Sequence, residues 1–107
     1  MKNEPTTLKE FKQIIFDYFK EHYFLKKHQL KRYWKVKFKL EDKTLCTYSM
    51  TFKFGCAKLT LNYYEGWWIL KKDEEILSAD HYIWKCCHFL YDPRINYYIN
   101  KEKNNGK

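Results

Sequence analysis

With 107 residues, 45% hydrophobic and 21% aromatic, the chain can bury one modest core and is too short for two. That composition excludes intrinsic disorder, and the negative mean hydropathy reflects many charges laid over a real core. The net charge of +8 is concentrated: Lys26 to Lys39 holds seven cations and no acid, so of 21 cations in all, 14 remain against 13 acids elsewhere.

Helix one is expected from about Leu8 to about Leu25. Thr7 followed three residues later by Glu10 fits a capping box, and Leu8, Phe11, Ile14, Ile15, Tyr18, Phe19 and His22 recur at helical spacing. The stretch KRYWKVKFKL, Lys31 to Leu40, reads as a strand. Alternation sets Trp34, Val36, Phe38 and Leu40 on one side and Lys31, Tyr33, Lys35, Lys37 and Lys39 on the other. EDKT is a turn, after which Cys46, Tyr48, Met50, Phe52 and Phe54 alternate with Thr47, Ser49, Thr51 and Lys53.

Gly55 marks a reversal or a bulge, and a third strand runs from Ala57 to Tyr64. Glu65-Gly66 reads as a two-residue hairpin loop into a fourth strand, Trp67 to Leu70. Lys71 to Glu75 is expected to be a charged loop. Ser78 would then cap a second helix from about Ala79 to Leu90, stopped by Asp92-Pro93. Tyr97 and Tyr98 are expected to pack back on the core. The fold class is therefore α+β, a three- to four-stranded antiparallel sheet flanked by an N-terminal and a C-terminal helix, with a winged-helix-like arrangement as the alternative. Residues 1–99 form one domain and 100–107 a disordered tail.

No apolar run approaches the roughly 18 residues of a membrane span. The N-terminus MKNEPTTLKE is polar where a signal peptide would be apolar, so a cytoplasmic setting and no membrane partner are expected. Cys46, Cys56, Cys86 and Cys87 form no CxxC pair and read as buried reduced thiols. Cys86, Cys87 and His88, with His81 before them, raise zinc, but a second ligand pair at the usual spacing is missing, so neither metal nor cofactor is expected. P-loop, GxSxG and HExxH motifs are absent too, and Glu41-Asp42 and Asp73-Glu74-Glu75 fall in expected turns, so an enzyme is not expected.

An acid-free run of cations is the usual footprint of a phosphate-backbone partner or an anionic surface; the bland alternative is a solvated strand whose lysines guard an edge. On the polar face of the expected sheet, Lys35, Lys37, Lys39, Lys53 and Lys58 stand among Thr47, Ser49, Thr51, Thr60 and Asn62. Cations two residues apart on a strand are about 6.6 Å apart, a spacing that can follow a chain of phosphates. Tyr33, Tyr64 and Trp67 fall on or near the same face, where bases could stack. Duplex reading is the nearest competitor, yet the second helix, ADHYIWKCCHFL, offers only Lys85 among cations.

The block EPTTLKEFKQIIFDYFKEHYF, the strand RYWKVKFKL and the Lys-, Asn-, Ile- and Tyr-rich texture resemble the small single-stranded-DNA-binding proteins of staphylococcal cassette chromosome replication operons. The resemblance implies single-stranded DNA binding in support of replication of a mobile element, beside a replicative helicase or polymerase, and a winged-helix-like core. It identifies no site residues. Those come from charge and alternation: Lys26, Lys27, Lys31, Arg32, Lys35, Lys37 and Lys39 on phosphates, Lys53 and Lys58 extending the path, and Tyr33, Tyr64 and Trp67 stacking bases. A basic face docked on an acidic protein partner is the alternative function.

Overall fold

A computed structural model describes residues 4–95. Helix α1, Leu8–Tyr23, begins where expected: the Glu10 N–H donates to the Thr7 hydroxyl at 3.1 Å. The returning half of the box is displaced by one residue. The Glu10 carboxylate accepts from the Thr6 N–H at 2.8 Å and the Thr6 hydroxyl at 2.6 Å, and so ties down the chain just ahead of the cap. Such a cap is worth about 1 kcal/mol. The helix ends at Tyr23 rather than Leu25, because Phe24 turns left-handed with φ 57° and the Leu25 N–H closes onto the Phe19 carbonyl.

The chain then departs from the expected strand. Lys27–Gln29 (α2) runs into a wide helical turn, Leu30–Trp34, with Leu30 fully buried and Trp34 packed on Phe19 and Phe52. Leu30 and Trp34 lie four apart, the spacing of one helical face. That apolar pair outweighs the alternation that continues into Val36 and Phe38. Lys35 is left-handed, φ 50°, and extended structure begins only at Lys37. Lys31, Arg32 and Tyr33 are therefore in a helical turn and not on a strand.

Five strands follow: β1 Lys37–Asp42, β2 Thr47–Phe54, β3 Ala57–Tyr64, β4 Trp67–Lys72 and β5 Glu75–Asp80. They form one antiparallel meander in the order β1-β2-β3-β4-β5. The hairpin at Glu65-Gly66 is as expected, with positive φ at both loop residues, the type I′ pattern. Gly55-Cys56 makes another two-residue loop, joining Phe54 to its partner Ala57.

The fifth strand replaces the expected loop and the start of the expected second helix. Its alternation is broken by a bulge where Leu70 pairs with Ser78 but Lys71 pairs with Ile76, which hides its period of two in the sequence. β4 correspondingly extends to Lys72, past the expected end at Leu70. Ser78 caps nothing; Asp80 accepts the Tyr82 N–H instead, and the helix is short, α3 Ile83–Cys87, followed by a tight turn His88–Tyr91. The architecture is α+β, with an antiparallel sheet and helices, but with five strands. The sheet supplies the centre of the fold, so the winged-helix-like arrangement is not what this chain adopts.

Among the described residues, α1, the turn Leu30–Trp34 and α3 pack on one face of the sheet. Phe11 stacks on Trp68 with ring centroids 5.6 Å apart and planes 10° apart, and Tyr48, Met50, Phe52, Leu59, Leu61 and Leu70 complete the buried layer. Cys86 and Cys87 are buried in it as free thiols, whereas Cys56 is exposed at a hairpin tip and Cys46 is half-buried, both departures from the expected four buried thiols. His88 is exposed, and among the described residues no three His, Cys, Asp or Glu side chains converge as metal ligands. No helix there is long and apolar enough to cross a membrane. Ile95 is buried; Tyr97, Tyr98 and residues 100–107 lie outside the described residues.

Candidate nucleic-acid interface

Packing one face of the sheet leaves the other for the alternate residues of each strand. Pairing in β1 to β4 fixes two rows across it: Lys37, Thr51, Thr60 and Lys71, then Lys39, Ser49, Asn62 and Ile69. A third pair, Lys53 and Lys58, stands beside the Gly55-Cys56 turn, and a fourth, Tyr64 and Trp67, flanks the Glu65-Gly66 turn. Lys58 and Tyr64 are six residues apart on β3, so the basic and aromatic ends are about 20 Å apart.

The face is concave. A trough of about 730 Å³ is lined by Lys37, Lys39, Glu41, Thr47, Ser49, Thr51, Thr60 and Asn62, with Phe38. Beside it a cleft of about 300 Å³ is lined by Lys35, Lys37, Thr51, Phe52, Lys53 and Lys58. Lys37 and Thr51 belong to both, which makes the two concavities continuous.

Charge within this surface is uneven. Glu41 is the acid in the trough: its carboxylate accepts from the Ser49 hydroxyl at 2.8 Å and lies 3.7 Å from the Lys39 ammonium. Lys39 is thus partly neutralised. The cleft has no acid in its lining, and Lys35, Lys37, Lys53 and Lys58 make no ion pair among the described residues. In the trough, the Thr47 hydroxyl and the Asn62 side-chain carbonyl are buried and without a hydrogen-bond partner among the described residues.

Tyr64 and Trp67 are each 42% exposed, less than Tyr33, Tyr82 and Trp84, and are set apart by being cross-strand partners on the open face. Trp67 lies against the His81 ring at 3.9 Å between centroids, and His81 Nδ1 is 3.0 Å from the Gly66 carbonyl oxygen, so the indole is held from one side. Past His81, exposed Tyr82 and Trp84 each have the Lys85 ammonium over their rings, at 5.3 and 5.2 Å.

Of the residues expected to form the site, the fold gathers Lys35, Lys37, Lys39, Lys53, Lys58, Tyr64 and Trp67 onto this face. It does not gather Lys26, Lys27, Lys31, Arg32 or Tyr33, which belong to the helical side. Lys26 and Lys27 line a separate groove of about 360 Å³ against α1, with the Lys27 ammonium 5.2 Å above the Phe16 ring. Tyr33 is exposed beneath the Arg32 guanidinium, in the turn after α2. Lys71, expected in a loop, also reaches this face, on the alternation that continues from Trp67 through Ile69. His81 reaches Trp67 only through the pairing of β4 with β5, which sets Trp68 opposite Asp80. Comparison of the chain with protein-family models, curated proteins and solved structures finds no match.

Proposed function

We propose that this protein is a non-enzymatic binder of single-stranded nucleic acid, DNA in the first place, and that the open face of the sheet is its binding surface. The observation that carries this reading is the separation of two chemistries on one concave face: four lysines that make no ion pair among the described residues at one end, and Tyr64 with Trp67 at the other. An extended strand laid along β3 would set phosphates among Lys35, Lys37, Lys53 and Lys58, with Lys71 across the sheet, and bases against the two rings. Each stack is worth roughly 1–3 kcal/mol and tolerates any base. A duplex is less well accommodated, because α3 is five residues long, IWKCC, and offers no Arg, Asn or Gln to a major groove. The resemblance to cassette-chromosome proteins favours DNA, a cytoplasmic setting, and replication of a mobile element beside a helicase or polymerase.

Fluorescence anisotropy with matched single-stranded and duplex oligonucleotides, each at two salt concentrations, tests this. Tighter binding of the single strand, with a log–log salt slope of about −3 to −4 for about five phosphate contacts, is the expected result. If neither oligonucleotide binds at low salt, the reading fails and an acidic protein partner takes its place.

A further inference from the structure

The cleft at the basic end carries more positive charge than a strand's internal backbone requires. Four ammonium-bearing side chains, Lys35, Lys37, Lys53 and Lys58, line about 300 Å³ with Thr51 and, among the described residues, no carboxylate. Two of them, Lys53 and Lys58, are direct cross-strand partners, a position in which like charges cost stability. Lys35 reaches the cleft from a left-handed residue, φ 50°, ahead of β1, so three separate segments of the chain contribute. One strand-step along β1, by contrast, Lys39 has Glu41 beside it.

An internal phosphodiester brings one negative charge. A terminal phosphate monoester brings about 1.5 to 2 at neutral pH, with a second pKa near 6, and three acceptor oxygens. We infer that the cleft of Lys35, Lys37, Lys53 and Lys58 is a site for a multiply charged phosphate group, the phosphorylated end of a nucleic-acid strand, which sets the polarity with which the strand lies on the sheet. This assignment rests on the proposed function for its source of phosphate; the same chemistry could come from free polyphosphate. With its end phosphate in the cleft, the strand would run toward Tyr64 and Trp67.

The test compares internally labelled oligonucleotides of about 12 nucleotides that carry a 5′-phosphate, a 3′-phosphate or hydroxyls at both ends. Inorganic tripolyphosphate is used separately as a thermal-shift ligand. One phosphorylated form should bind roughly three- to fivefold more tightly than the hydroxyl-ended strand, the gain of one added ion pair at an exposed site. That advantage should shrink as pH falls through about 6. It should vanish in the Lys53→Gln/Lys58→Gln variant, which removes a repulsion and so keeps its fold; affinity for the hydroxyl-ended strand falls there too, so the readout is the ratio of phosphorylated to hydroxyl-ended binding within each protein. Equal binding of all three strands overturns the end-phosphate assignment and leaves the proposed function standing. If tripolyphosphate raises the melting temperature of the wild type but not of the double variant, and no oligonucleotide binds, the ligand is free phosphate and the proposed function is what fails.

Discussion

Lys53 and Lys58 face each other directly across the β2–β3 hairpin, next to its two-residue turn and without an acid in the cleft they share. A fold selected for stability alone has no reason to oppose two cations there. Replacing Lys58 by Glu should therefore stabilise the protein by about 0.2–1 kcal/mol, because an opposite-charge cross-strand pair replaces a like one. Thermal denaturation should show a rise of a few degrees at low salt that diminishes as salt screens the pair. Nucleic-acid binding should weaken in the same variant. A lower melting temperature would mean that the two side chains do not interact as their register indicates.

Trp67 and Trp68 are adjacent in sequence and opposite in fate, 42% and 0% exposed. Trp67→Ala should leave the fold intact and weaken single-strand binding by about 1–3 kcal/mol, roughly 5- to 150-fold. Trp68→Ala removes the ring that stacks on Phe11 and should cost about 3–5 kcal/mol of stability. Anisotropy and chemical denaturation on both variants separate the two effects. Unchanged affinity in the Trp67 variant would remove stacking from the aromatic end of the face.

Glu41 holds Ser49 and sits beside Lys39 in the trough. Glu41→Gln keeps an acceptor for the Ser49 hydroxyl while removing the opposing charge. Binding of a polyanion should tighten by a fewfold and its salt slope should steepen by somewhat under one, since Lys39 becomes free to contact a phosphate. Loss of the exposed Lys39 pair should cost no more than about 1 kcal/mol of stability. Weaker binding would place Glu41 itself in contact with the ligand.

Tyr33 and Lys31 lie in the helical turn after α2. Tyr33→Ala should leave single-strand affinity within about twofold of the wild type, whereas truncating Lys35 and Lys37 together should weaken binding to every sequence and flatten the salt dependence. Anisotropy titrations of the two variants decide it. A large loss from Tyr33→Ala would move the binding surface to the helical side.

Burial pushes the phenols of Tyr18 and Tyr23 well above their ordinary value, and burial beside the Cys46 thiol raises Tyr48 to about 12. Tyr23 also donates its hydroxyl proton to the Cys87 carbonyl at 3.0 Å, tying α1 to α3. A pKa raised in the folded state means that the neutral phenol favours the fold. That contribution is complete below the unfolded value of about 10 and is lost as pH rises through the folded values. Alkaline titration should show these tyrosinates appearing together with loss of circular dichroism above pH about 10. Complete ionisation at that pH with the fold intact would contradict the burial argument.

Legibility in the sequence followed the range of the forces at work. Thr7 and Glu10 marked the start of α1 because a cap is made within four residues, and Glu65-Gly66 marked a hairpin because its positive φ values are a local demand. The alternation of Tyr48, Met50 and Phe52 with Ser49 and Thr51 separated the two faces of β2 correctly. Lys31 to Trp34 misled, since four residues fit both a period of two and one helical turn, and the decision lay with Phe19 and Phe52 packing on Trp34. β5 was hidden by a bulge that only its pairing with β4 reveals.

The sequence by itself determined that the chain is strongly basic, that its cations crowd into one segment, and that a polar face would exist opposite a core. These properties are read residue by residue and depend on no distant contact. Only the tertiary structure decided which cations meet. Strand register places Lys53 against Lys58, the left-handed Lys35 joins them from outside the sheet, and Glu41 withdraws Lys39 from the set. Charge in a sequence adds up irrespective of order, whereas the field in a cleft depends on which side chains share it, and that is settled by long-range pairing and packing.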